Sequence, residues 1–210
     1  MVNKKDYYIA ALVGFLTGIF AILMFFNLGL RNKEFLFALP LTIPFVFAFG
    51  VWFGKFLSRW MPFMEQFARF VAVGFLNTAI DFGLLNVFSL LTSITAGLKV
   101  GGVNVPGFVV AVLNSYFWNK LWVFKDRSDR NAMADFPKFL AVTVIGLFIN
   151  SGLVILITTY VAPFAGILNP TAWLNVAKAL AAPISLIWNF AGFKFLVFRS
   201  KKPDNAGGIV

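Results

Sequence analysis

The sequence predicts an all-α integral membrane protein, a bundle of six transmembrane helices with both termini in the cytoplasm. The last four helices read as a parallel tandem repeat of two-helix hairpins. Three observations predict this. First, 60% of the 210 residues are hydrophobic and only 12% are charged. A soluble domain carries about 25% charged residues, so this chain has too few to cover a water-facing surface. Second, six apolar runs each reach the roughly 20 residues that cross about 30 Å of hydrocarbon. Third, the cations lie in short clusters between those runs and favour alternate ends.

The six runs cover about 7–30, 35–58, 69–92, 105–124, 138–162 and 172–197. The first, from Tyr7 to Leu30, is longer than a signal-peptide core and has no small-x-small cleavage pattern after it, so it reads as a retained helix. It carries a GxxxG at Gly14/Gly18, and the second run carries another at Gly50/Gly54. Such spacing lets two backbones approach closely, either as a hairpin or as a dimer face. Pro40, Pro44 and Pro183 fall inside runs, where bundle neighbours can satisfy the freed carbonyls. Pro137 precedes the fifth run, where a helix start tolerates it.

Orientation follows from Lys and Arg. One side holds Lys4, Lys5, Lys55, Arg59, Arg69, Lys120, Lys125, Arg127, Arg130, Lys138, Lys194, Arg199, Lys201 and Lys202, the other only Arg31, Lys33 and Lys99. The richer side is expected to be cytoplasmic. Tyr7, Trp60 and Trp122 then fall at the inner interface, Tyr160 and Trp173 at the outer one. The net charge of +10 could also point to nucleic acid, but cations clustered between apolar runs favour the membrane, and no nucleic-acid partner is expected.

Two segment pairs carry the repeat. Phe67-Ala68-Arg69-Phe70 opens the third helix and Phe136-Pro137-Lys138-Phe139 the fifth, an offset of 69. Lys120-Leu121-Trp122-Val123-Phe124-Lys125 closes the fourth and Lys194-Phe195-Leu196-Val197-Phe198-Arg199 the sixth, an offset of 74. Two spans per copy give both copies the same orientation. The domains are accordingly drawn as an N-terminal hairpin over 1–64, a four-helix domain over 65–200 and a cytoplasmic tail over 201–210.

Phe70-Val71-Ala72-Val73-Gly74-Phe75-Leu76-Asn77-Thr78, with Asp81 after it, resembles the opening of the GtrA-like family of small membrane proteins. Asn119-Lys120-Leu121-Trp122-Val123-Phe124 resembles that family's Asn-Arg-x-Trp-Val-Phe signature, and Asn189-Phe190 with Lys194 to Phe198 resembles its second occurrence. The resemblance covers about 67–200, with the first hairpin an addition. Lys120 and Lys194 stand where the family usually has Arg, and Phe193 replaces the second Asn. The resemblance implies movement of a polyprenyl-phosphate-linked sugar across the cytoplasmic membrane of a bacterium or archaeon, for glycosylation of a cell-envelope polysaccharide. A glycosyltransferase partner is implied with it.

Asp81 is the only acid within an expected span, roughly 16 Å along the third helix, and Lys178 the only base well inside one, about 10 Å from the outer end of the sixth. Charges there usually face a partner or a cavity, so the two read either as a buried ion pair or as functional groups of a polar path. Around them run polar stripes: Gly74, Asn77 and Asp81 on the third helix, Ser115 and Asn119 on the fourth, Thr143, Gly146 and Asn150 on the fifth. Asn175, Lys178, Ala182, Ser185 and Asn189 continue the pattern on the sixth. Four striped helices imply either a hydrated groove or interhelical hydrogen bonds that only hold the bundle. At the rim, Arg69, Lys120, Lys138 and Lys194 could capture a lipid phosphate or could simply set orientation. Trp118 and Trp122 could stack on a sugar or anchor the interface.

Neither Cys nor His occurs, which removes thiolate and imidazole chemistry. No P-loop, carboxylate pair, activated nucleophile or metal cluster is found, so no catalytic residue, metal or cofactor is expected. Transport would follow the substrate gradient or borrow an ion through Asp81. A membrane anchor for a glycosyltransferase is the alternative, resting on the basic loop Lys125 to Lys138; a four-helix cation or drug exporter ranks third. Membrane lipids are expected partners, and a homo-oligomer is left open.

Overall fold

The computed structural model describes residues 4–27, 30–93, 99–126, 133–161 and 170–198, without the side chains at 27, 99–101, 103, 104, 154, 158 and 170–179. Among the described residues the elements are all helical: α1 (Lys4–Asn27), α2 (Lys33–Leu57), α3 (Met64–Thr92), α4 (Lys99–Trp118), α5 (Phe136–Tyr160) and α6 (Pro170–Gly192). Each overlaps one expected run, α4 least closely, since it begins at Lys99 and gives way to a π-helical turn at Asn119. Five stretches among the described residues have the length and hydropathy of a membrane span, Lys4–Phe26, Lys33–Leu57, Met64–Thr92, Phe136–Ile157 and Leu180–Val197; α4 is not among them. The outward faces are apolar, with Phe45 78% and Phe148 72% exposed. So large an apolar exterior is intolerable in water and fits a lipid solvent.

The chain divides into two compact units, Met1–Lys125 and Asp126–Val210. In the first, α1 and α2 form an antiparallel hairpin in which Gly14 meets Pro44 and Gly18 meets Pro40. A Cβ built on Gly18 would lie 2.5 Å from Pro40 Cα, and one on Gly14 would lie 2.8 Å from Pro44 Cα. Only glycine lets α1 approach the backbone of α2 so closely, which is the role that small-xxx-small spacing serves in lipid. The two GxxxG motifs are therefore not alike. In α2, Gly54 faces Ala68 of α3, whereas a Cβ on Gly50 would meet nothing within 4 Å. Helix α4 packs on α3 at Gly107, where a Cβ would lie 3.0 Å from the Asp81 carbonyl oxygen.

In the second unit α5 and α6 are antiparallel. Trp188 Nε1 donates to the Val142 carbonyl at 3.1 Å, and the rings of Phe139 and Phe193 stack at 4.5 Å. Pro137 sits in the first turn of α5, as expected. Phe193, which departs from the family signature, is 3% exposed and joins Phe139 and Phe198 in an aromatic cluster.

Both α4 and α6 end in a π-turn, over Asn119–Val123 and Phe193–Val197. Phe124 N–H donates to the Asn119 carbonyl at 2.9 Å and Phe198 N–H to the Phe193 carbonyl at 2.8 Å. The two turns are separated by the same offset, 74, as the two closing segments in the sequence. Beyond the first, Lys125 takes a left-handed φ of 51°, a conformation that costs a non-glycine residue roughly 1–2 kcal/mol.

Substituting the two glycine classes separates these roles. Gly18→Ala should lower the thermal midpoint in detergent by the equivalent of about 1–3 kcal/mol, as overpacking does. Gly50→Ala should leave it unchanged or raise it slightly, since alanine is the better helix former.

Candidate functional site

A buried carboxylate with three donors lies where α1 and α3 begin and α4 ends. Asp6, in the first turn of α1, is 2% exposed. Its carboxylate accepts from Arg69 Nη2 at 3.3 Å, from Trp122 Nε1 at 3.1 Å and from Lys125 Nζ at 3.2 Å. Arg69, also 2% exposed, donates in addition to Glu65 one turn earlier. One buried carboxylate thus holds the guanidinium that opens α3 and both the indole and the ammonium at the end of α4. Buried charges are tolerated only when paired and hydrogen-bonded in this way.

This arrangement alters the sequence reading of three residues. Arg69 is not an open rim cation, because Asp6 and Glu65 already compensate it. Trp122 neither anchors an interface nor offers a ring face to a sugar: it is 2% exposed, edge-on to Trp118 with centroids 5.9 Å apart, and its N–H is given to Asp6. Asp81 is not alone among acids within the described helices, whose first turns also enclose Asp6, Glu34 and Glu65. The remaining rim cations differ among themselves. Lys120 is buried, its Nζ 3.4 Å from the Tyr116 hydroxyl; Lys194 is half-buried over the Phe190 ring at 5.6 Å; Lys138 is exposed.

Deeper in the first unit, α3 and α4 turn their polar residues toward each other. Asn114 Nδ2 donates to Asn77 Oδ1 at 2.7 Å. Four residues on from Asn77, Asp81 has one carboxylate oxygen buried without a hydrogen-bond partner, beside Gly107 of α4. Asn119 is 1% exposed; its amide donates to the Ser115 carbonyl at 2.7 Å and approaches Ser115 Oγ at 3.3 Å, while its Oδ1 is unpartnered. The second unit repeats the theme. Asn150 Nδ2 donates to Ser185 Oγ at 3.2 Å, and Asn189 lies against Gly146 with its buried Oδ1 unpartnered. Thr143 donates instead to the Phe139 carbonyl of its own helix at 2.9 Å.

An unpartnered buried polar atom costs about 1–3 kcal/mol. Three such oxygens, on Asp81, Asn119 and Asn189, therefore mark places where a polar ligand or water gains by binding. The side chains of Asn175, Lys178 and Trp173, the loop 127–132 and the tail 201–210 lie outside the described residues. Sequence reasoning missed Asp6, Glu65 and Asn114. A lone acid beside the lysines that precede an apolar run is ordinary at a helix start, where it faces the helix dipole, so nothing local singled out Asp6.

Residues 69–198 match the GtrA/DPMS transmembrane domain. The chain is 24% identical over 94 residues to a dolichol-phosphate mannosyltransferase of Pyrococcus furiosus, 45% of this chain but only 25% of that protein. It is 28% identical over 113 residues to the uncharacterized membrane protein YngA of Bacillus subtilis, 50% of this chain and 73% of the other. Against YwcD of the same organism it is 28% identical over 102 residues, 48% and 73% of the two chains. No solved structure matches the chain.

Removing the charge at the bonded carboxylate should be costly. Asp6→Asn keeps an oxygen for Trp122 but leaves Arg69 with Glu65 alone as a counter-charge, and is expected to lose up to about 3–5 kcal/mol, the cost of a buried charge left wholly unpaired. Trp122→Phe removes one charge-assisted hydrogen bond and should lose about 1.5–3 kcal/mol. Thermal midpoints of the purified variants in one detergent order the two.

Proposed function

Because the chain belongs to the GtrA/DPMS transmembrane-domain family, we propose that it moves a polyprenyl-phosphate-linked monosaccharide across the cytoplasmic membrane for cell-envelope polysaccharide glycosylation. The observation that carries this reading is the polar line inside the matched segment, above all the unpartnered carboxylate oxygen of Asp81 in mid-helix. A charge at that depth is expensive in lipid and is kept where something polar passes or binds. On this reading Asn77, Asp81, Ser115 and Asn119 in the first unit serve the phosphate-sugar head group, and Asn150 and Asn189 do so in the second; Lys178, whose side chain lies outside the described residues, joins them on the sequence alone. Lys120 and Lys194 receive the phosphate, and Arg69 holds the fold through Asp6. The cation-rich end, with fourteen Lys and Arg against three, faces the cytoplasm. We read the chain as a carrier and not as an enzyme.

A second reading has one observation in its favour. The segment similar to the Pyrococcus furiosus mannosyltransferase is a quarter of that protein, so a comparable membrane segment there belongs to a much longer chain named for glycosyl transfer. An anchor that holds a separate glycosyltransferase at the membrane fits that. Replacing the loop 126–137 with a neutral linker should then release the enzyme, whereas undiminished co-purification argues against anchoring.

Liposomes containing the purified protein test transport directly. A labelled polyprenyl-phosphate sugar should cross the bilayer faster than in empty liposomes, and Asp81→Asn should reduce the rate to that of empty liposomes while the protein stays folded. Full transport by a folded Asp81→Asn variant rejects the role given to this carboxylate.

A further inference from the structure

The last two turns of α2, outside the matched segment, carry a feature that the transport reading leaves unused. A cavity of about 410 Å³ opens there, lined by Tyr7 of α1, Trp52, Lys55 and Phe56 of α2, Arg59 in the turn after it, and Glu65 of α3. Lys55 and Arg59 are one helical turn apart. Neither has an acidic partner among the described residues, whereas Glu65 is engaged by Arg69. Arg59 is held with its guanidinium 5.3 Å from the Phe56 ring centroid, and Ser58 Oγ donates to the Lys55 carbonyl at 2.6 Å. Two uncompensated cations in a concave, aromatic-walled space form a receptor for an anion, with the arginine fork suited to phosphate.

The neighbouring face of the same turns is apolar. A groove of about 270 Å³ runs between α2 and α3, lined among others by Gly50, Phe53, Gly54, Leu57 and Val71. Gly50 leaves its floor open. Between cavity and groove stands a ladder of exposed aromatic rings. Phe49 stacks on Phe53 at 6.2 Å and Trp52 on Phe56 at 6.1 Å, and Phe56 meets Trp60 edge-on at 5.1 Å. Phe49 and Trp60, at its two ends, are 62% and 66% exposed. From Phe49 to Trp60 the ladder is roughly 16 Å long.

We infer that this end of the N-terminal hairpin binds a membrane lipid through its phosphate head group. Lys55 and Arg59 take the phosphate, and the hydrocarbon chain lies along the aromatic ladder and in the groove. A soluble anion would use the cations but leave the groove and ladder empty; an uncharged lipid would use the ladder but leave the cations uncompensated. Only an amphiphile with an anionic head uses all three. The two sources of that chemistry are an anionic phospholipid and a polyprenyl phosphate, which differ in their chains and not in what Lys55 and Arg59 recognise.

The test is binding by the delipidated full chain in detergent, read by native mass spectrometry with phosphatidylglycerol, undecaprenyl phosphate and inorganic phosphate as separate probes. Wild type should retain at least one of the two lipids. Lys55→Gln/Arg59→Gln should weaken that binding at least tenfold, while Lys55→Arg/Arg59→Lys keeps the charge and restores it. Arg59→Gln alone, at an exposed position, should weaken it severalfold. Gly50→Leu, which fills the groove, should weaken lipid binding without changing any response to inorganic phosphate. Preference for one lipid identifies the source. Undiminished lipid binding by the double Gln variant, or binding of inorganic phosphate alone, overturns the inference. Because the readout is binding and Lys55, Arg59, Gly50 and the aromatic ladder all lie outside residues 69–198, its failure is distinct from a failure of the transport reading.

Discussion

A carboxylate buried among a guanidinium, an indole and an ammonium ties together helix ends that are far apart in sequence. Asp6 is 63 residues from Arg69, 116 from Trp122 and 119 from Lys125. Without it, Arg69 would keep only Glu65 as a counter-charge, in a place where burial leaves no water to take over. Without Arg69 and Lys125, the carboxylate would be equally stranded. The cost of leaving either side unpaired exceeds what the intact contact contributes, so the group acts as a constraint: α1, α3 and the turn after α4 must meet in one register. The N-terminal hairpin lies outside the matched segment, yet it supplies the acid that the matched segment's own Arg69, and Trp122 within a signature, require.

Around that point the first unit is built by close backbone approach. In lipid, apolar side chains gain little by leaving the solvent for one another, and helices associate through tight packing and hydrogen bonds. Gly14 and Gly18 let α1 reach the two prolines of α2, while the Asn77–Asn114 bond joins α3 to α4. In the second unit Gly146 and the Asn150–Ser185 bond do the same for α5 and α6. Among the described residues the buried polar atoms left without a partner are Arg69 Nε and the oxygens on Asp81, Asn119 and Asn189, and buried oxygens of this kind ask for a ligand or water.

The helices were legible because an apolar run of membrane length is a local signal. Helix α1 starts at Lys4, three residues before the expected run over 7–30, because charged Lys4, Lys5 and Asp6 ended the run but not the helix. The polar stripes were legible through their spacing of three and four, and Asn77, Asn150, Ser185 and Asn189 do face neighbouring helices within their units. Pairings over long sequence separation were not legible. Asp6 looked like an ordinary first-turn acid, Trp122 like an interface aromatic and Arg69 like a rim cation, because each owes its environment to residues on other helices. The π-turns were hidden for a related reason: Asn119–Val123 and Phe193–Val197 are apolar and helical in composition, and only the 74-residue offset hinted that their ends are alike.

The central claim is that Asp6 and Arg69 act as one unit, and a double-mutant cycle measures it most directly. Asp6→Asn, Arg69→Gln and the double variant would be compared with wild type by reversible unfolding in one detergent. The account predicts that the double variant loses at least about 1 kcal/mol less than the sum of the single losses, as contacting charges do. Losses that add to within about 0.3–0.5 kcal/mol, as for independent sites, would contradict it.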